Sequence, residues 1–151
     1  MFLYRNWSLL LVTLFSSFFG ATLAIAEVVK PDKITRDEIS GDIFKRPGMT
    51  REQRGDSAIL DVTSLLSSDK KFVSGMYQAG PGRFEIKDGG YGVDEFMYFL
   101  KGSVKLTSED GSIQVINAGE AVTIPKEWKG LWESDGYTKI YVIYSGKGDL
   151  E

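Results

Sequence analysis

Glu95 is the side chain of this sequence whose type and position best suit proton transfer. It lies in Glu95–Leu100, a run of bulky residues with the composition of a β-strand. A strand interior does not need a carboxylate, and a charge buried in a small core costs free energy unless it is paired or functional. Glu95 is therefore our candidate catalytic residue, as general acid or base. Alternatively, it is structural, paired with a Lys or Arg or bonded to a Tyr hydroxyl.

Aromatic and sulfur-containing side chains near this strand can form the wall of a binding site. Trp128 and Trp132 share the same strand parity, so both indoles can face one opening. A tyrosine hydroxyl can bond a ligand or act as a weak acid. For each residue, the alternative is a plain place in the core or in a loop. The candidate ligand-binding residues are Tyr91, Met97, Trp128, Trp132 and Tyr141.

The composition excludes most metal and thiol chemistry. The chain of 151 residues contains no histidine and no cysteine, so the usual ligands of zinc, copper and haem are absent. A metal would need about six oxygen donors. Asp88, Asp94 and Glu95 are the acidic residues near the expected opening, but Asp94 and Glu95 point to opposite faces of a strand. We therefore expect no metal and no other cofactor.

Residues 1–26 have the features of a secretory signal peptide. Arg5 is their single charge, an apolar run follows, and Ala24-Ile25-Ala26 suits cleavage. An uncleaved membrane anchor is the alternative. We expect cleavage, a periplasmic or secreted protein, and no stable membrane insertion afterwards. Without Arg5, 17 basic face 21 acidic residues, a net charge of −4, so no nucleic-acid partner is expected.

The rest of the sequence divides into a polar arm and a β-rich domain. Residues 27–57 show weak hydrophobic periodicity and predict an extended arm, with a helical turn near Asp37-Glu38. Residues 58–147 predict an all-β barrel domain, because short β-branched and aromatic runs alternate with glycine turns. The predicted strands are Lys71–Tyr77, Arg83–Lys87, Glu95–Leu100, Ser103–Thr107, Ile113–Ile116, Ala121–Ile124, Gly130–Glu133 and Lys139–Tyr144.

The strand Glu95–Leu100 is bulky on both of its faces. Glu95, Met97 and Phe99 share one face, which we expect to line the barrel, while Phe96 lies on the other. An apolar outer face needs a cover. A second sheet, the N-terminal arm or a second subunit can supply it, and the last case predicts a homodimer.

The spacing of glycine, proline and glutamate resembles that of the cupin superfamily, whose members are small jelly-roll barrels. Gly82, Glu95 and Gly102 fit its first motif, and Gly119 and Pro125 fit its second. Three stretches resemble the branch named for the (S)-ureidoglycine aminohydrolase cupin domain. They are Val73-Ser74-Gly75-Met76 with Pro81-Gly82-Arg83-Phe84, Asp94-Glu95-Phe96 through Leu100-Lys101-Gly102, and Trp128-Lys129-Gly130-Leu131-Trp132-Glu133.

The resemblance implies a single jelly-roll barrel behind the N-terminal arm, but without the family's usual metal. Its histidine positions in the first motif hold Asp88 and Gly90 with one spacing of the motif, or Gly89 and Tyr91 with the shorter one, and the position in the second motif holds Gly130. The favoured hypothesis is an exported cupin that binds a small polar or aromatic metabolite. A metal-independent isomerase, lyase or hydrolase that uses Glu95, and a structural oligomer module, are the alternatives.

Overall fold

The computed structural model describes residues 28–150, and nine antiparallel strands make up most of this part of the chain. They form one curled sheet, a half-barrel, so the predicted all-β fold is confirmed. The expected signal peptide lies outside the described residues. The strands are β1 (Thr50–Arg54), β2 (Ser57–Leu66), β3 (Phe72–Ala79), β4 (Gly82–Ile86), β5 (Asp94–Ser108), β6 (Ile113–Asn117), β7 (Ala121–Ile124), β8 (Gly130–Ser134) and β9 (Tyr137–Tyr144).

Strand β5 holds the two halves of the sheet together. The order is β1-β2-β3-β9-β5-β8-β4, and β6 and β7 also pair with β5. We predicted two strands separated by a turn at Lys101-Gly102, whereas the structure has one strand with a shift in pairing between Phe99 and Lys101. Gly102 has a φ of 70°, and a Cβ there would overlap the carbonyl oxygen of Gly136. Glycine therefore lets the strand bend without ending.

The inner face of β5 is the face that the alternation predicted. Glu95 is 3% exposed, and Met97 and Phe99 are fully buried. Phe96 and Tyr98 point outward and are 42% and 37% exposed. The inner face thus forms the apolar core of the half-barrel, which contains Met97, Phe99, Val104, Leu106, Ile116, Ile124, Trp132 and Tyr137.

The segment before β1 covers part of the outer face. It contains helix α1 (Arg36–Ser40), at the expected helical turn, and a 3₁₀ helix (Asp42–Lys45). Ile43 is fully buried against Val62 and Met76. Of the three covers considered, the structure therefore shows the N-terminal segment. This segment leaves Phe96 and Tyr98 exposed.

Ion pairs hold this segment together, and a hydrogen bond joins it to the sheet. The guanidinium of Arg46 donates to Glu38 and to Asp32, each at 2.7 Å. Asp32 also accepts a hydrogen bond from the Ser64 hydroxyl of β2 at 2.7 Å. The hydrogen bond from Arg46 lowers the pKa of Glu38 to about 2 and also lowers the pKa of Asp32. No helix in the described part of the chain combines the length and the apolar character needed to cross a membrane.

Candidate functional site

A buried ion pair lies at the centre of the half-barrel. The ammonium of Lys139, on β9, contacts the carboxylate of Glu95, on β5, with Nζ and Oε1 2.6 Å apart. Both residues are almost fully buried, at 6% and 3% exposure. Removing two charges from water is costly, and only close pairing with further hydrogen bonds offsets that cost. Burying this pair therefore costs the core desolvation free energy.

Tyr91 forms a second hydrogen bond to the carboxylate of Glu95. Its hydroxyl donates to Oε2 of Glu95 at 2.5 Å. Burial, followed by the charge of Glu95 and this hydrogen bond, raises the pKa of Tyr91 above its usual value of 10, so the phenol remains a donor. The flanking loop holds the ring in place, because Gly92 N–H donates to the Lys126 carbonyl at 2.8 Å. Tyr91, Glu95 and Lys139 thus form one hydrogen-bonded chain.

Aromatic rings and one thioether surround the Lys139 ammonium. Its Nζ lies 3.1 Å from the sulfur of Met97. Ring centroids lie 5.3 to 6.0 Å from the same atom, within the range at which a cation is attracted to a π-system. These rings belong to Tyr77, Trp132, Tyr137 and Tyr141.

The ion pair faces a half-open cavity of about 320 Å³. The predicted residues Glu95, Tyr91, Trp132 and Tyr141 line it, whereas Met97 and Trp128 do not. Met97 is fully buried in the core. The Trp128 indole N–H instead donates to the Ser108 hydroxyl at 3.1 Å, and its ring packs edge-on against Tyr91.

Several lining residues were not among the predicted ones. Asp61, on β2, accepts a hydrogen bond from the Tyr141 hydroxyl at 3.0 Å, and burial raises its pKa. Tyr77, Tyr137 and Lys139 also line the cavity. One sequence signal was available for two of them, because residues 137, 139 and 141 share one strand parity. Tyr141 was expected to face a ligand, so Tyr137 and Lys139 belong on the same face.

The residues at the site do not fit the metal that the cupin fold usually holds. Glu95 already binds Lys139 and Tyr91. The second-motif histidine position is Gly130, where even a Cβ would overlap the Thr107 carbonyl oxygen. Across residues 28–150, no three Asp, Glu, His or Cys side chains are grouped so that they could hold a metal ion. The site can instead bind a polar organic group or move a proton.

Several solved structures are similar to parts of this chain, and the first one described here, with a TM-score above 0.5, shares its fold. A protein of unknown function in the DUF861 family from Pseudomonas syringae pv. tomato has a TM-score of 0.54 at 20% identity, over 63% of this chain and 43% of its own. The EutQ protein of Clostridium difficile has a TM-score of 0.49 at 21% identity, over 60% and 65%. A DUF861 protein of Thermotoga maritima is 31% identical over 44% and 73%, with a TM-score of 0.40.

The chain covers less than two thirds of the Pseudomonas and Clostridium proteins. No functionally curated protein matches the sequence. A family model does match: residues 66–141, half of the chain, fit the EutQ-like cupin domain. This match includes Glu95, Lys139 and most of the cavity wall. The chain therefore belongs to the EutQ-like cupin family, within the cupin superfamily that the motif spacing resembled.

Proposed function

We propose that the protein is an exported cupin that binds a small polar or aromatic molecule, with Glu95, Tyr91 and Lys139 as polar contacts and without a metal. One observation carries the proposal: a buried, hydrogen-bonded ion pair faces a cavity with aromatic walls. A core built only for stability gains little from such a pair, because apolar residues of similar volume are often as good. The N-terminal features that suggest export belong to the same proposal.

A ligand screen tests this function. We expect compounds from a library of small metabolites to raise the melting temperature of the wild-type protein. Glu95→Gln keeps the side-chain shape and should weaken the stabilisation, since the amide has no negative charge and only one oxygen to accept the bonds from Lys139 and Tyr91. Glu109→Gln, the same change at an exposed position, is the matched control. If no compound stabilises the wild type, or if both variants bind equally well, the proposal is wrong. Stoichiometric manganese, iron or zinc in the purified protein would overturn its metal-free part.

The chain of hydrogen bonds also favours a second candidate, a metal-independent acid–base enzyme. Glu95 can accept a proton from a bound substrate and return it to a neighbouring atom, while Lys139 and Tyr91 stabilise the developing negative charge. An enzyme predicts that Glu95→Gln abolishes turnover while binding persists. A pure binder predicts a change in affinity and no turnover by either protein.

The exposed outer face of β5 supports a homodimer as part of the proposal. Phe96 and Tyr98 are large, adjacent on that face and not covered by the N-terminal segment. An association through these rings would bury them. Light scattering on the wild type and on Phe96→Ser tests this, with a dimer and a monomer as the expected results. A monomeric wild type would rule out the dimer.

A further inference from the structure

The cavity presents more hydrogen-bond donors than the protein itself uses. The side chains of Tyr77 and Tyr137 line it, and their hydroxyls make no hydrogen bond within the described residues. The Lys139 ammonium has three N–H groups, of which Glu95 and Met97 account for two. The Trp132 indole N–H is buried and also has no partner among the described residues. An unpaired buried donor such as the Trp132 N–H is rare and costly, and together with the free donors on the cavity wall it points to an acceptor supplied by a ligand.

The charges of the cavity argue against a charged ligand. Lys139 is already neutralised by Glu95 at 2.6 Å. Asp61 is the other ionisable carboxyl on the wall. It is half-buried, and burial raises its pKa although the hydrogen bond from the Tyr141 hydroxyl acts in the opposite direction. An anion would meet the carboxyl groups of Glu95 and Asp61, and a cation would meet the ammonium of Lys139.

The shape of the walls favours a flat ligand. The rings of Phe84 and Tyr91 are nearly parallel to the Trp132 indole, with interplanar angles of 16° and 6°. A cavity of about 150 Å³ is large enough to bind benzene, and this one measures about 320 Å³. It therefore has room for one ring with a polar substituent, and the aromatic walls suit stacking against such a ring.

Resting on the proposed binding function, we infer that the ligand is a small, uncharged, planar carbonyl compound. Its carbonyl oxygen accepts hydrogen bonds from Lys139 and from a hydroxyl of the Tyr77 and Tyr137 pair, while its flat body lies against Phe84 and Tyr91, the rings that stack on Trp132. This assignment names the chemical class of the ligand, and it makes Tyr77 and Tyr137 binding residues.

Three probes of nearly equal size and different charge test the inference: benzamide is neutral, benzoate is an anion and benzamidine is a cation. Each is titrated into the full-length protein, and the indole N–H resonances are followed by NMR. Trp128 is an internal reference, because its N–H is bonded to Ser108 and its ring does not line the cavity. We expect benzamide to bind more tightly than the other two and to shift the Trp132 resonance but not that of Trp128.

Tyrosine variants then test the donors. Tyr77→Phe and Tyr137→Phe each remove one hydroxyl and should weaken benzamide binding by about 2- to 10-fold, the usual worth of one hydrogen bond. Tyr98→Phe, on the outer face, is the matched control and should bind like the wild type.

The outcomes separate the two levels of the argument. Tighter binding of benzoate or benzamidine would overturn the inferred ligand class and leave the binding function standing. Equal affinities of the Tyr77, Tyr137 and Tyr98 variants would overturn the role of the hydroxyls. If no probe shifts Trp132, the inferred ligand class is wrong. If the metabolite screen also finds no ligand, the proposed function is wrong as well.

Discussion

The two faces of this sheet differ in what they bury. On the outer face, Ile43 of the N-terminal segment fills a dry apolar cluster with Val62 and Met76. On the inner face, the apolar core surrounds a buried lysine and a buried glutamate beside a cavity. The outer cluster needs only close packing to be stable. The inner site carries the free-energy cost of two desolvated charges and of the unpaired Trp132 N–H, which is typical of a functional site.

The largest expected effect comes from breaking the inner ion pair. Lys139→Met leaves the Glu95 carboxylate buried without its cation, and we expect a loss of about 3–5 kcal/mol in the free energy of unfolding. Urea titration measures it. Lys105→Met, which breaks the exposed Lys105–Glu133 pair, is the control and should cost at most about 1 kcal/mol. Equal losses of stability in the two variants would show that breaking the inner pair costs no more than breaking a solvent-exposed one.

The outer cluster should lose stability without losing function. Ile43→Ala removes a fully buried side chain and should cost about 2–5 kcal/mol. Ligand affinity should not change, because the side chain lies on the opposite face of the sheet from the cavity. Urea titration and the benzamide titration measure the two quantities. A large change in affinity would mean that the two faces are coupled and do not act independently.

A smaller effect is expected at the start of α1. The Thr35 hydroxyl accepts from the Glu38 N–H, and the Glu38 carboxylate accepts from the Thr35 N–H. Thr35→Ala removes half of this capping box and should lower the free energy of unfolding by about 1 kcal/mol. Thr123→Ala, an exposed threonine on β7, gives the reference value for loss of a surface hydroxyl. A Thr35 variant no less stable than this reference would contradict the capping role.

Acid should act on the two faces with opposite signs. The pKa of Glu38 is about 2 instead of the usual 4.5, so its contribution to stability is present above pH 4.5 and is lost as the pH falls towards 2. The pKa of Asp61 is raised from its usual 3.8. Its ionisation therefore opposes folding, and this cost appears as the pH rises above 3.8.

Glu38→Gln should accordingly reduce the loss of stability between about pH 4.5 and about pH 2, while glutamine can still serve the capping box. Asp61→Asn should raise stability relative to the wild type more at neutral pH than in acid. Urea midpoints across this pH range measure both slopes. For each variant, the stability difference from the wild type is plotted against pH. If the two plots had slopes of the same sign, the opposite pKa shifts of Glu38 and Asp61 would be contradicted.

The sequence predicted the inner strand faces because alternation is a local property. Glu95, Met97 and Phe99 are spaced two residues apart, so if one of them faces the core, the other two face it as well. Strand β1 has no such signal, since all five of its residues are polar and exposed, and its pairing with β2 is set by the fold. The continuity of β5 through Gly102 could not be predicted either, because a glycine in a sequence is compatible with a turn that ends a strand and with a bulge inside one.

The site was harder to predict than the fold because its central contact joins residues far apart in the chain. Glu95 and Lys139 meet only because β9 lies beside β5, and sequence spacing carries no trace of that pairing. Trp128 shows the converse difficulty. It has the same strand parity as Trp132, but it precedes β8 and turns towards Ser108 instead of the cavity.

Native mass spectrometry of the protein purified from the full-length gene tests the central claim most directly. The account predicts a population heavier than the bare chain by the mass of one small organic molecule, which is released on denaturation and reduced in Glu95→Gln. A mass equal to that of the bare chain under every condition, or an excess that matches a bound transition metal, would contradict it.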